Sequence, residues 1–258
     1  MNRSHTTTEG AESAARLNLV TAGATDVGCV RIENQDRFFI SKDNRILVVA
    51  DGMGGHHGGS KAASIVVAAI EDDTASTLPN YRSRRSVKKW VDRTLKAANS
   101  EVYLTSTAEW QFSGMGTTLV AIVLGDDFVH VAHAGDSRAY RLRQGKLFPL
   151  SKDHSIIQQL VDEGIVAEEK RRGHPRSHIV TRYVGEQDVE LEHHATKHKQ
   201  GDLFLLCSDG LTDVVLDQEI ERILNETPDL ETACQALVDY VKTRGAPDNV
   251  TVVLGRID

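Results

Sequence analysis

The chain has 258 residues, 40% of them apolar and 26% charged, the balance of a soluble globular protein with one large domain or two small ones. Thirty Lys and Arg against 37 Asp and Glu leave a net charge of −7, which argues against general nucleic-acid binding but is compatible with a local basic patch. No stretch reaches the roughly 18 apolar residues of a membrane helix. Residues 1–16 lack the apolar core of a signal peptide and read as a disordered tail. Cys29, Cys207 and Cys234 are odd in number and far apart, which speaks against a disulfide framework and for a reducing cytosol.

In chain order, Ile46 to Ala50 is a buried strand that stops at Asp51-Gly52. A glycine-rich loop then opens a helix over residues 60–72. Residues 73–84 read as a polar loop, and Val87, Val91, Leu95 and Val102 mark a second helix over 86–105. Strand signal follows at 117–124 and 128–134. Segments 139–142 and 146–150 flank Gln144-Gly145, a hairpin turn. A short helix over 154–163 is closed by Gly164. Residues 164–185 are irregular and rich in Arg, Lys and His. A buried strand at 202–207 ends at Ser208-Asp209-Gly210. Helices over 217–225 and 230–242 precede a last strand at 250–257. Strands in groups with helical pairs between and after them predict an α+β sandwich, helices outside packed sheets.

One pattern recurs: an apolar strand runs into a turn bearing an aspartate. It appears at Asp51, Asp136 and Asp209, and in reverse at Asp248, just before the last strand. Asp36 precedes the run Phe38-Phe39-Ile40. Taken singly, each is a common turn residue. Taken together, they would place several carboxylates at the ends of buried strands, which requires compensation by cations. An all-oxygen ligand set without paired His or Cys favours Mg²⁺ or Mn²⁺ over Zn²⁺. Two such ions together make a hydrolytic site that activates water and clamps a phosphoryl group. The loop from Asp51 to Gly59 is neither a Walker loop nor a dinucleotide fingerprint; its glycines let backbone approach a metal or another strand closely.

In this order the motifs are Asp26-Val27-Gly28 with Arg31-Ile32-Glu33-Asn34-Gln35-Asp36, Val49-Ala50-Asp51-Gly52-Met53-Gly54-Gly55-His56, Gly114-Met115-Gly116-Thr117-Thr118, Ala134-Gly135-Asp136-Ser137-Arg138, Asp153-His154-Ser155, Ser208-Asp209-Gly210-Leu211, and Asp248-Asn249-Val250-Thr251. The sequence thereby resembles the metal-dependent Ser/Thr protein phosphatases of PP2C (PPM) type in their bacterial form, over about residues 20–257. The resemblance implies a PP2C-like α-β-β-α sandwich, two central mostly antiparallel sheets flanked by helices. It implies one phosphatase domain over 17–258, with a flap at about 151–190. It implies that Asp51 and the Gly52 carbonyl, with Asp209 and Asp248, hold two Mn²⁺ or Mg²⁺ ions, that Asp136 with Asp209 holds a third, that Asp36 orients water, and that Arg31 binds the substrate phosphate. The implied reaction is direct attack of water held between the ions on phosphoserine or phosphothreonine, opposing bacterial Ser/Thr kinases. Relatives from eukaryotes often carry His directly after Asp-Gly. Here that position is Met53, so His56 and a metal-bound water stand as alternative general acids.

With every metal position filled, a silent phosphoprotein-binding scaffold is disfavoured, while a hydrolase of small phosphoesters stays open. Expected partners are phosphorylated proteins and cognate kinases, with no nucleic acid or membrane, for a monomer in the cytoplasm. The basic segment 168–183 reads equally as a substrate-contacting flap and as a solvated loop. The cluster Arg82, Arg84, Arg85, Lys88 and Lys89 reads as the exposed start of a helix. His193, His194 and His198 read as surface residues, Met53, Met115, Trp90 and Trp110 as packing residues, Thr117 and Thr118 as strand entry near the site, and Cys207 as an inert core thiol.

Overall fold

The structure is a computed structural model that describes residues 17–54 and 57–258. The tail expected over 1–16 and the candidate acid His56 lie outside the described residues. In chain order the elements are β1 (Leu19–Asp26), β2 (Asp36–Ile40), β3 (Ile46–Met53), α1 (Gly58–Ser76), α2 (Arg84–Ala108), β4 (Gly116–Thr117), β5 (Leu119–Leu124), β6 (Phe128–Ala134), β7 (Arg138–Arg143), β8 (Lys146–Pro149), α3 (Ile156–Asp162), β9 (Glu192–Lys197), β10 (Leu203–Cys207), α4 (Asp209–Thr212), α5 (Asp217–Glu226), α6 (Leu230–Thr243) and β11 (Val250–Ile257).

Two antiparallel sheets form the centre. One has the order β1-β11-β10-β7-β8; the other has β2-β3-β5-β6-β9, with β4 added on β3. Strand residues alternate between faces, and in the central strands both faces are apolar. In β3, Leu47 and Val49 join Val120, Ile122, Phe204, Leu206 and Val253 in the layer between the sheets. Ile46 and Val48 point the other way, against Ile65, Val66 and Ile70 of α1 and Val91 and Leu95 of α2. In β10, Leu205 and Cys207 pack on Leu237, Val238 and Val241 of α6. Burial on both faces is why these strands read as unbroken apolar runs.

Local chemistry sets the element ends. Ser83 accepts a bond from Ser86 N–H at 3.2 Å and caps α2, and Asp229 does the same for Thr232 at 2.9 Å at the start of α6. Gln144 (φ 52°) and Gly145 (φ 75°) make the tight hairpin between β7 and β8.

Three readings are corrected. Helices α1 and α2 extend beyond the expected bounds, leaving only residues 77–83 as the loop between them. The segment holding His193 and His194 is strand β9, which completes the second sheet beside β6. His193 is not a free surface residue: its side chain is 15% exposed, pairs with Asp92 at 2.8 Å and bonds His130 at 3.0 Å. Trp110 is 89% exposed and packs into no core, whereas Trp90 and Met115 are buried as expected.

Candidate metal centre

Both sheets send strand ends to one rim. Asp51 lies near the end of β3, and Asp36, at the start of β2, is its direct register partner. Asp136 lies between β6 and β7, Asp209 opens α4 directly after β10, and Asp248 precedes β11. Glycine permits these approaches. A Cβ on Gly52 would lie 2.2 Å from the Gly59 carbonyl oxygen, and one on Gly210 would lie 1.8 Å from that of Asn249. The second contact brings the start of α4, with Asp209, against the start of β11, beside Asp248.

A cleft of about 1080 Å³ collects Arg31, Asp51, Asp136, Asp209 and Asp248 on its walls. Asp36 sits behind them, 1% exposed. Burial first, then Asp36, Asp209 and Asp136, push the Asp51 carboxyl well above the usual range. Burial and the neighbouring Asp136, Asp213 and Asp248 do the same for Asp209. Burial and Asp153 push Asp136 up to about 7. The shared cause is desolvation of several like charges in one place. Asp36 Oδ2 accepts from Ser208 at 2.7 Å, while its buried Oδ1 finds no donor among the described residues. An orphaned carboxylate oxygen behind a cluster of mutually repelling carboxylates fits divalent cations and their water.

Neutral side chains hold the cluster's backbone. Thr118 N–H donates to the Asp51 carbonyl at 2.8 Å, and Asp51 N–H donates to Thr118 Oγ1 at 3.1 Å. Ser208 Oγ, besides donating to Asp36, accepts from Thr251 N–H at 3.0 Å. Asn249 donates to the carbonyls of Val27 and Glu33 at 2.9 and 3.0 Å, and accepts from Gln35 N–H at 2.9 Å. It thereby clamps the loop that carries Arg31. Sequence reasoning gave Ser208 and Asn249 no role of their own. Their only signal was position beside Asp209 and Asp248.

Arg31 reaches the site, but its guanidinium donates to Asp248 Oδ2 at 2.7 Å. In the segment expected as a flap, three arginines are engaged. Arg182 bonds His154 Nε2 at 3.3 Å. Arg171 bonds Asp153 and also Gln158, and Arg172 donates to the Val215 carbonyl at 2.6 Å. Arg138 grips the same Asp153 through two bonds of 2.8 and 2.9 Å, linking this segment to the strand after Asp136. Cys207 is fully buried, which pushes its thiol up to about 12 and leaves it inert.

Away from the aspartates, His133, His154 and Glu192 bring possible ligand atoms within 4.8 Å of one another. The two rings are stacked, 4.7 Å between centroids and 6° from parallel. Parallel planes cannot both contain one ion, so as arranged the trio fastens residues 152–154 to the edge formed by β6 and β9. His133 bonds the Lys152 carbonyl at 2.9 Å, and Gly135 N–H donates to His154 at 3.3 Å.

The family model described as protein phosphatase 2C matches residues 30–250, the span that holds the whole aspartate cluster. The chain belongs to the protein phosphatase 2C family. Its similarity to the serine/threonine phosphatase stp of Listeria monocytogenes is 36% identity over 234 residues, 89% of this chain and 92% of that protein. The serine/threonine phosphatase PstP/Ppp of Mycobacterium tuberculosis matches in structure with a TM-score of 0.83 and 35% identity, covering 93% of this chain and 99% of that one. The catalytic domain of PstP in complex with two manganese ions matches with a TM-score of 0.84 and 34% identity, covering 93% and 99%. The expected PP2C fold of two antiparallel sheets between helices is therefore the observed one, and this PP2C-type chain is a protein phosphatase.

Proposed function

We propose that this PP2C-type phosphatase hydrolyses phosphoserine and phosphothreonine on proteins at the aspartate cluster, in the cytoplasm and as a monomer, opposing Ser/Thr kinases. The carrying observation is the cluster itself: Asp51, Asp136, Asp209 and Asp248 line one cleft, and Asp36 stands behind with an unused oxygen. Asp51, the Gly52 carbonyl, Asp209 and Asp248 would hold two Mn²⁺ or Mg²⁺ ions, and Asp136 with Asp209 a third. Bound there, the ions supply an activated water and neutralise phosphoryl charge.

The chain's own groups do the rest. Asp36 Oδ1 accepts a proton-bearing ligand of the site and orients it. Ser208 fixes that carboxylate from the other side. Arg31 exchanges its bond to Asp248 for the substrate phosphate, where its planar fork can hold two oxygens. Asn249 keeps the loop of Arg31 in place through three hydrogen bonds. The segment 151–190 forms the flap beside the cleft; its Arg171 and Arg172 serve to hold it rather than to meet substrate.

Phosphate release from a phosphothreonine peptide tests this reading. Activity that requires Mn²⁺ or Mg²⁺, is abolished by EDTA and is far weaker on the matching phosphotyrosine peptide is expected. Activity confined to small phosphoesters would contradict the protein-substrate reading.

A further inference from the structure

Ten large apolar side chains are exposed among the described residues, and three of them line the cleft that holds the aspartates. Val30 is 67% exposed and Ile32 is 102% exposed, so Ile32 touches essentially nothing in its own chain. They flank Arg31 on both sides. Ile179, 41% exposed, reaches the same cleft from a distant part of the chain. Its segment is held rather than loose: Ile156 N–H donates to the Ile179 carbonyl at 2.9 Å, and Val180 bridges to Ser155.

Scattered apolar residues on a surface are ordinary. Apolar residues gathered around a charged anchor mark a contact surface. We infer that Val30, Ile32 and Ile179 select phosphoprotein segments carrying an aliphatic side chain within two residues of the phosphorylated Ser or Thr. This rests on the phosphatase reading above.

The spacing supports that occupant. Residues adjacent to Arg31 have Cα atoms about 3.8 Å from its own. An extended peptide advances about 3.3 Å per residue. A phosphate on the Arg31 guanidinium lies a side-chain length from that backbone, so side chains one or two positions away come within reach of Val30 and Ile32 on the same cleft. Charge selects in the same direction: Glu33, which lines the same cleft and is not among the metal positions, disfavours acidic flanking residues. An aliphatic residue gains by covering Ile32, and burying one such side chain changes affinity by roughly tenfold or more.

The test compares two phosphothreonine peptides that differ only in having Leu or Gln at the flanking positions. With Mn²⁺-loaded wild type, the Leu peptide should show about tenfold higher kcat/KM, carried mainly by KM. Non-hydrolysable phosphonate versions should show the same ratio in Kd by calorimetry. In Ile32→Ser combined with Val30→Ser, both ratios should fall below about twofold. Ile179→Ser should lower them by a smaller factor. These side chains are exposed, so the variants keep the folded core. Equal cleavage of the two peptides by wild type, or an unchanged ratio in the double variant, overturns the inference while the phosphatase reading stands. Cleavage of neither peptide overturns both.

Discussion

Asp36 and Asp51 face each other as register partners across β2 and β3. Like charges directly opposite weaken a strand pair. Here one of the two is almost wholly buried and has an oxygen without a donor. Burial raises both carboxyls above their ordinary range, and for Asp51 the charge of Asp36 is the next cause. The sheet rim thus carries an electrostatic cost that bound cations relieve.

Neutralising one partner should therefore stabilise the metal-free protein. Asp51→Asn should raise its melting temperature at pH 8 by about 2–6 °C, the effect of roughly 1–2 kcal/mol of relieved repulsion. The folded pKa of Asp51 lies above its ordinary 3.8. The native state then binds more protons than the unfolded one, and stability falls as pH rises above that value. The advantage of the variant should be absent near pH 4 and largest at high pH. Manganese should raise the melting temperature of wild type by clearly more than that of the variant. Scanning calorimetry in EDTA and in Mn²⁺ reads both effects.

Asp136 is pushed up to about 7 by burial and by Asp153. A carboxylate must be ionised to hold a divalent ion. Binding of a third ion should therefore weaken as pH falls through about 7. Asp136→Asn should leave two ions bound at pH 8 and lower turnover. Metal content measured after dialysis against excess Mn²⁺ checks this, and three ions in the variant would refute the assignment.

Ser208 is fully buried and joins Asp36 to the backbone of β11. Ser208→Ala leaves Asp36 and Thr251 N–H without that partner. A stability loss of about 1–3 kcal/mol in urea unfolding is expected. With Asp36 released, kcat should also fall by roughly 10–100-fold, the usual cost of losing outer support around a metal site.

Asn249 acts on the loop of Arg31. Asn249→Asp keeps size and acceptor but cannot donate to the carbonyls of Val27 and Glu33. KM for a phosphothreonine peptide should rise by roughly 10–30-fold, with about 30-fold the full effect of losing two hydrogen bonds of roughly 1 kcal/mol each from a loop that positions substrate. Limited proteolysis should show earlier cleavage within residues 27–35. An unchanged KM would show that the loop holds Arg31 without Asn249.

Much of the fold was legible because its central strands are covered on both faces. Ile46 to Ala50 and Leu203 to Cys207 must be apolar throughout, and the first runs straight into Asp51 while only Ser208 separates the second from Asp209. The aspartates could be grouped for the same reason: a carboxylate at the mouth of a buried strand needs a partner. Strand β9 was illegible because Glu-His-His-Ala-Thr-Lys has no apolar alternation. It is an edge strand placed by its pairing with β6. Exposure of Trp110 could not be read from a residue type that is usually covered. Ser208 and Asn249 escaped because a short polar side chain has no pattern of its own. What they do depends on strands brought together from opposite ends of the chain.

The most direct measurement is phosphate release from a phosphothreonine peptide by wild type and Asp209→Ala, each with Mn²⁺ and with EDTA. The cluster account predicts Mn²⁺-dependent turnover in wild type, abolished by EDTA, and a loss of roughly a hundredfold or more in the variant at equal Mn²⁺. Turnover that survives both EDTA and Asp209→Ala would contradict it.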